Sequence, residues 1–317
     1  MDPCLDRKRS KATHRLDSEN TFVAVANEFI RKREKDGMAE ATAKKARWFL
    51  RLLEPTIGSL PLNDIDPQLL LAALRSIERR GRHETAKKAR SFASRVFRYG
   101  VATGRGVADP ATLLNGALIA PKPKHHAAIL DQTQLADFLK AADGYSSPIT
   151  RLALKILPHI YLRPGELRLA TWAEIDFEKA VWVIPAERAK MRRPHVVPLS
   201  SVVIQLLRET HQLTGLSGFV FPASHTGRRP MSENTLNAAL RRMGFDKTQA
   251  TAHGFRSTAS TFLNESGEFS ADAIERALAH TPSSAVRAAY HRGEHWIERV
   301  RMAKWWSGFL NNLERST

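Results

Sequence analysis

A handful of residues in this chain could handle a phosphate, and they follow one another in order. The first is in Tyr161-Leu162-Arg163-Pro164-Gly165-Glu166-Leu167-Arg168, which follows an apolar helical pattern. Pro164 suits the first turn of a new helix, and Glu166 in that turn complements its dipole. Arg163 then stands at a helix entrance, facing an anion with backbone N–H groups beside it. The plainer alternative is a surface arginine paired with Glu166. Next comes the turn Ala186–Pro194, with Arg188, Lys190, Arg192 and Arg193. Only Lys190 among these can give up a proton, because guanidinium stays charged. A lysine on a hairpin tip can enter a minor groove and protonate a leaving alkoxide; otherwise the turn is a solvated basic loop. His253 and Arg256 are three apart and share a helix face. That spacing alone says little, since His225 and Arg228 repeat it in a glycine-containing loop. His280 lies at a helix end closed by Thr281-Pro282. The four tyrosines are Tyr99, Tyr145, Tyr161 and Tyr290, and only Tyr290 follows the histidine and arginine series. Taken alone, Tyr290 reads equally as a half-buried amphipathic residue.

No Walker loop and no strand-GxGxxG-helix pattern occurs, and no aspartate cluster suggests bound magnesium. Chemistry on a phosphate would fall to side-chain cations, so neither cofactor nor metal is expected.

These residues need a scaffold, and the length of 317 residues allows about two domains. Hydrophobic residues at 43% and charged residues at 26% are ordinary globular values, which excludes wholesale disorder. The net charge of +17 points to a polyanionic partner. The excess is uneven: residues 1–130 hold 25 Lys/Arg against 14 Asp/Glu, the rest 24 against 18. Cys4 is the only cysteine, which excludes a disulfide framework and a cysteine-rich zinc site. No apolar run approaches the ~20 residues that span a bilayer, and nothing reads as a signal peptide. The class favoured is a cytoplasmic, nucleoid-associated protein that binds nucleic acid without a membrane. A basic ribosome-associated or membrane-surface protein is the bland alternative.

The chain divides near residue 120. Residues 1–17 read as a flexible basic segment with Arg7-Lys8-Arg9-Ser10-Lys11. Residues 18–105 carry four amphipathic patterns, at Thr21–Lys35, Ala41–Leu53, Pro67–Arg79 and Glu84–Val101. Lys44, Lys45 and Arg47 on the second, and Lys87, Lys88, Arg90 and Arg95 on the fourth, form basic faces expected to contact DNA. They would otherwise keep a bundle soluble. Gly104-Arg105-Gly106 and Pro110, Pro121 and Pro123 mark residues 106–128 as a linker. Residues 129–317 are mixed. Val181–Ile184 and Val196–Pro198 read as a hairpin, with a third strand within Thr171–Asp176. Helices fit Asp131–Ala142, Ser147–Leu157, Ser201–Thr214, Ser232–Arg242, Thr251–Glu265, Ala271–Ala279, Ser283–Ala289 and His295–Leu313. The last carries an apolar stripe, Met302, Trp305, Trp306, Phe309, Leu310 and Leu313. It would dock on its own domain or on a neighbouring protomer.

The order Arg163, Lys190, His253, Arg256, His280, Tyr290 resembles the tyrosine recombinases, specifically phage-type integrases of the satellite-phage and prophage subgroup. The segments RPGELRLATWAEIDFEKAVWVIPAERAKMRRPHVVPLS, HGFRSTAS and IERALAHTPSSAVRAAYHRGE carry the likeness. It runs from about residue 18 to 313. The family's usual Gly-His before the tyrosine is Ala279-His280 here.

The resemblance implies a mainly α fold with a small antiparallel β-sheet. An all-helical, SAM-like core-binding domain would precede a mixed α/β catalytic domain, the two closing on duplex DNA as a clamp. It implies that Tyr290 attacks the scissile phosphate to form a 3′-phosphotyrosine, freeing a 5′-hydroxyl. Arg163 and Arg256 would hold the nonbridging oxygens. Lys190 would protonate the leaving 5′-oxygen, and His253 would act as general acid and base. His280 would bond the phosphate and help seat the tyrosine, with Glu166 as structural support. Arg192 and Arg193 would add DNA contacts. The implied partners are double-stranded attachment sites, three further protomers in a tetramer on DNA, and an accessory directionality factor, with a monomer when free. The function implied is integration and excision of a mobile element. An inactive DNA-binding remnant, a recombination regulator and a type IB topoisomerase are the alternatives. The resemblance also predicts a chain lacking the N-terminal arm-binding domain of its relatives, and so core binding without a bridge to distant arm sites.

Overall fold

The computed structural model describes residues 20–121, 126–189, 193–280 and 295–316. The proposed basic segment 1–17, the helix expected at 283–289, and Lys190, Arg192 and Tyr290 lie outside them. The chain forms two compact units, divided between Lys124 and His125.

In the first unit, α1 (Phe22–Lys35), α2 (Glu40–Ile57), α3 (Pro67–Glu78) and α4 (His83–Ala102) bury one face each. Thr21 caps α1 by accepting from Ala24 N–H, and Asp66 caps α3 from Leu69 N–H ahead of Pro67. Phe22, Phe49, Leu53, Leu74, Phe92 and Phe97 meet in the core. Phe22 packs on Phe97 and Phe49 on Phe92, with ring centroids 5.4 and 6.1 Å apart. α2 runs four residues past its expected end, with Pro55 in its last turns. Much of the expected linker belongs to this unit. A 3₁₀ turn, Pro110–Leu114, buries Ala111 and Leu114 in the helical core, and Ile119 N–H donates to Glu78. Proline and glycine marked the irregular backbone there, but not the apolar pair that docks it.

The second unit has one core. α5 (Gln132–Asp143) and α6 (Pro148–Ile156) lead through a 3₁₀ turn, Leu157–His159, into the five-residue α7 (Pro164–Arg168). A three-stranded antiparallel sheet follows: β1 (Ile175–Asp176), β2 (Val181–Ile184) and β3 (His195–Pro198), in that order. Ile175 pairs with Trp182, and Trp182 with Val197. The expected strand at 171–176 is mostly a 3₁₀ turn, Trp172–Glu174; Ile175 and Asp176 pair with β2, and Thr171 makes an isolated bridge to Phe219. Then come α8 (Ser201–Thr214), α9 (Thr235–Arg242), α10 (Gly254–Glu265), α11 (Ala271–Ala277) and α12 (Trp296–Ser316). α10 starts three residues late because Gly254 N–H turns back to Thr251 O. α11 stops two residues early, where Ala279 takes a left-handed φ of 50°. α12 docks on its own unit: Met302, Trp306 and Leu310 are buried in its core, and Trp306 Nε1 donates to Pro158 O at 2.7 Å. No helix of the described residues is long and apolar enough to cross a membrane.

Candidate active site

Arg163 is the N-cap of α7. Its backbone N–H donates to Glu166 Oε2 and its guanidinium to Glu166 Oε1, each at 2.8 Å. One buried carboxylate therefore closes the helix start and holds the arginine. Of the two sequence alternatives for Arg163, the structure shows the pair with Glu166, on a largely buried arginine rather than a surface one. Glu166 takes one edge of the guanidinium, and its other terminal nitrogen reaches Ala279 O at 3.3 Å.

Arg256 comes from α10, on the other side of that turn. It is 5% exposed, donates to Tyr161 O, and meets Leu278 O at 2.6 Å. Arg163 and Arg256 thus converge on consecutive carbonyls, Ala279 and Leu278. Burial first, then the charge of Arg163, pushes the Arg256 pKa down to about 10, against the pull of Glu166 and Glu275. It still carries its charge at neutral pH. Two guanidiniums held side by side make a ready site for a dianionic or monoanionic oxygen cluster.

His280 completes the group. Its Nε2 lies 3.1 Å from the Arg256 Nη2, and its Nδ1 lies 2.9 Å from Glu275 Oε2. Guanidinium can only donate, so Nε2 accepts and Nδ1 carries the proton toward Glu275. The left-handed Ala279 turns the chain so that His280 N–H returns to Glu275 O at 3.0 Å. Glycine occupies such a position with less strain, which fits the Gly-His usual in the recombinases that the sequence resembles. Here alanine accepts the cost.

His253 stands at the N-cap of α10, three residues before Arg256. Its ring packs on His126 with centroids 4.4 Å apart. Next to it, Gly254 is a steric requirement, because a Cβ there would run into the Ala127 carbonyl. The segment 126–129 is drawn over this helix end, with Thr251 N–H on Ala127 O at 3.1 Å.

The structure therefore gathers Arg163, Glu166, Arg256 and His280, and places His253 at the start of the helix that carries Arg256. Sequence reasoning missed Glu275, five residues before His280 and outside any helical i,i+4 spacing. It also missed His126, whose place follows from chain crossing alone. Arg188 was grouped with the basic turn, yet it points inward, pairing with Glu174 at 2.8 Å. Among the proposed DNA contacts, Lys45, Lys87, Arg95 and Arg193 are exposed. Lys44 and Lys88 are exposed but pair with Glu40 and Glu84 on their own helices. Arg47 closes on Glu34, and Arg90 on Ala111 O and Asn115.

Residues 22–117 match the phage integrase central domain, and residues 128–295 match the phage integrase family. The chain belongs to the phage integrase family. It is 35% identical to the integrase of Enterobacteria phage P4 over 326 residues, spanning 98% of this chain and 73% of that protein. In fold, this integrase resembles the Tn1549 transposon integrase in complex with transposon right end DNA. That likeness has a TM-score of 0.69 at 15% identity, over 87% of this chain and 99% of that one. It also resembles lambda integrase in a tetramer bound to a Holliday junction, with a TM-score of 0.66 at 18% identity, over 90% and 83%. This integrase is a tyrosine-type site-specific recombinase. The likenesses favour that reading over an inactive remnant, a regulator or a type IB topoisomerase.

Proposed function

We propose that this integrase cuts and rejoins double-stranded DNA at attachment sites through Tyr290, for integration and excision of a mobile element. The convergence of Arg163 and Arg256 on the Leu278–Ala279 turn, with His280 against Arg256, carries the proposal. In the step we envisage, the Tyr290 phenolic oxygen attacks the scissile phosphorus and loses its proton toward His253. The bond from phosphorus to the 5′-oxygen breaks, and Lys190 gives that oxygen a proton. One phosphate ester replaces another, so the bond energy is kept for religation by a second 5′-hydroxyl. The two guanidiniums stabilise charge on the nonbridging oxygens as it builds. Glu275 holds the His280 ring so that Nε2 faces the same place. Glu166 keeps Arg163 aimed and stays out of the chemistry.

The domain assignment follows: the helical unit, including the docked turn Pro110–Leu114, as the core-binding domain, and residues 129–317 as the catalytic domain. Lys45, Lys87, Arg95, Arg192 and Arg193 would contact the DNA, while Lys44, Arg47, Lys88 and Arg90, expected there too, would stay with their protein partners. The relatives seen on DNA, one of them as a tetramer, support a DNA partner and a homotetramer on paired sites. A free monomer, an accessory directionality factor and a place on the nucleoid belong to the same proposal.

A nicked suicide duplex spanning the attachment core tests it, because the freed strand diffuses away and traps the covalent adduct. The wild-type chain should accumulate adduct. Tyr290→Phe, which removes only the hydroxyl, should bind the duplex with nearly unchanged affinity and form none. Adduct from the Phe variant would place the nucleophile elsewhere.

A further inference from the structure

Arg163 can serve as half of an anion clamp only if α7 stays where it is. That helix has five residues, and a single turn is too short to hold itself. Its start is closed by Glu166. Its end leaves carbonyls that no further turn satisfies. Two of them, Glu166 O and Leu169 O, accept from one guanidinium, that of Arg188, the first at 2.7 Å. Arg188 reaches in from the turn after β2, where its own N–H and that of Ala189 bond Pro185 O at 3.1 and 3.0 Å. Its charge is met by Glu174 Oε1 at 2.8 Å. Glu174 is 9% exposed and is itself fixed, accepting from Thr171 Oγ1 at 3.0 Å and Trp182 Nε1 at 3.1 Å. Burial lowers the Arg188 pKa, with Glu174 and Glu166 opposing.

We propose that Arg188 is a positioning residue for the phosphate clamp: it pins the C-terminal end of α7 to the β-sheet, and through Glu166 sets the place of Arg163. The inference rests on the reading of Arg163 as a phosphate ligand. A guanidinium is suited to this post because its planar fork spans two carbonyls while Nη1, the nitrogen on Leu169 O, also meets the Glu174 carboxylate. Lysine can answer Glu174 but cannot span the two carbonyls. Arg188 touches no reacting group, so its loss should show only through Arg163.

The test compares two suicide duplexes, one with an ordinary scissile phosphate and one with a neutral methylphosphonate at that position. The methyl group removes the charge that Arg163 answers, so Arg163→Ala should lose less on the second duplex than on the first. Arg188→Lys should slow adduct formation on the ordinary duplex by about 10- to 100-fold, the scale of a small misplacement. That loss should shrink on the methylphosphonate in parallel with Arg163→Ala. The double variant Arg163→Ala/Arg188→Lys should be no slower than Arg163→Ala alone, since one residue acts through the other. Glu174→Gln removes the charge partner and keeps the side-chain volume. It should show the same substrate pattern at smaller size, and serves where Arg188→Lys fails to fold. Equal losses of the Arg188 and Glu174 variants on both duplexes, beside relief of Arg163→Ala, would overturn the inference alone. Absence of relief for Arg163→Ala would overturn the reading of Arg163 and the inference with it.

Discussion

Arg47 and Arg105 in the helical unit each close on a carboxylate through two nitrogens. Arg47 meets Glu34 at 2.7 and 2.8 Å, and Arg105 meets Glu28 at 2.6 and 2.8 Å. In the catalytic unit, three arginines each span two backbone carbonyls, and of these Arg188 also meets a carboxylate, Glu174. Arg256 takes Tyr161 O and Leu278 O, Arg188 takes Glu166 O and Leu169 O, and Arg241 takes Phe245 O and Ala250 O. The two habits differ in what happens to the charge. A carboxylate cancels it locally. A carbonyl fixes the guanidinium in space and leaves the charge uncancelled. For Arg256 that means positive charge held ready beside the Leu278–Ala279 turn, where Arg163 adds the guanidinium edge that Glu166 leaves over, with no reorganisation needed when an anion arrives. The helical unit leaves its free charge on exposed residues such as Lys45, Lys87 and Arg95. One unit presents a diffuse field for a long polyanion. The other prepares a single oxyanion seat.

The sharpest way to break this contrast is a lysine scan. Arg256→Lys keeps the charge and loses the fork that spans Tyr161 O and Leu278 O. We expect adduct formation to fall by about 10²- to 10³-fold, the scale of losing a preorganised donor, with duplex affinity little changed. Arg47→Lys keeps its exposed ion pair and should leave the rate within about twofold, since such pairs contribute about 0–1 kcal/mol. Single-turnover adduct formation measures both. Equal losses would mean that carbonyl-bound and carboxylate-bound arginines do not differ in kind.

Acid should separate the units next. His159 is buried, with Nδ1 3.0 Å from Ser307 Oγ, and burial pushes its pKa down to about 4. His195, at the start of β3, is pushed to about 4 by burial and by Arg299. Below the ordinary histidine value of 6.5 the unfolded chain takes up protons that these folded rings refuse. The catalytic unit should therefore lose stability as pH falls from about 6.5 to about 4, by about 2 kcal/mol per histidine between pH 7 and 5. The helical unit depends on Glu28 and Glu34, whose pKa values are lowered first by hydrogen bonds from Arg105 and Arg47. Their contribution is present above the ordinary glutamate value of 4.5 and is lost as pH falls below it. Urea unfolding at pH 7 and 5 checks the windows. Trp48 is the only tryptophan before residue 124, so a Trp48→Phe chain reports the catalytic unit alone. His159→Gln should flatten its pH response. An unchanged slope would remove His159 as a cause.

Part of this was legible in the sequence. Where apolar spacing and a capping residue agree, as in Thr21 before α1, Asp131 before α5 and Ser200 before α8, element and start follow. The arginine and histidine series was legible because it is ordered, and Ala279-His280 because it departs from a pattern. What the sequence hides is direction. Arg188 sits among Lys190, Arg192 and Arg193, and composition cannot tell that it turns inward while Arg193 stays exposed. Glu275 reaches His280 only because Ala279 is left-handed, and a non-glycine residue gives no sign of that in advance. Arg47 and Arg90 looked like free surface cations. Their partners, Glu34 and the Ala111 carbonyl, lie 13 and 21 residues away.

The smallest expected effect bears on that last point. If carboxylate pairing cancels charge toward DNA, exposed cations of the same domain should differ in what they contribute to binding. Lys45 and Lys87 should each neutralise about one phosphate. Lys45→Ala or Lys87→Ala should then lower the slope of log affinity against log salt by about 0.9. Affinity itself should fall only a few-fold near 0.1 M salt. Arg47→Ala removes a charge already met by Glu34 at 2.7 Å and should leave the slope nearly unchanged. Removing Arg47 also frees Glu34, so the sharper control is Arg47→Ala with Glu34→Gln, which deletes the pair without exposing a new negative charge. Gel-shift titrations of the core duplex between 50 and 200 mM salt resolve differences of this size. A full unit of slope lost with the Arg47/Glu34 pair would show that its guanidinium releases the carboxylate for phosphate on binding. The paired arginines of the helical unit would then belong to the DNA surface after all.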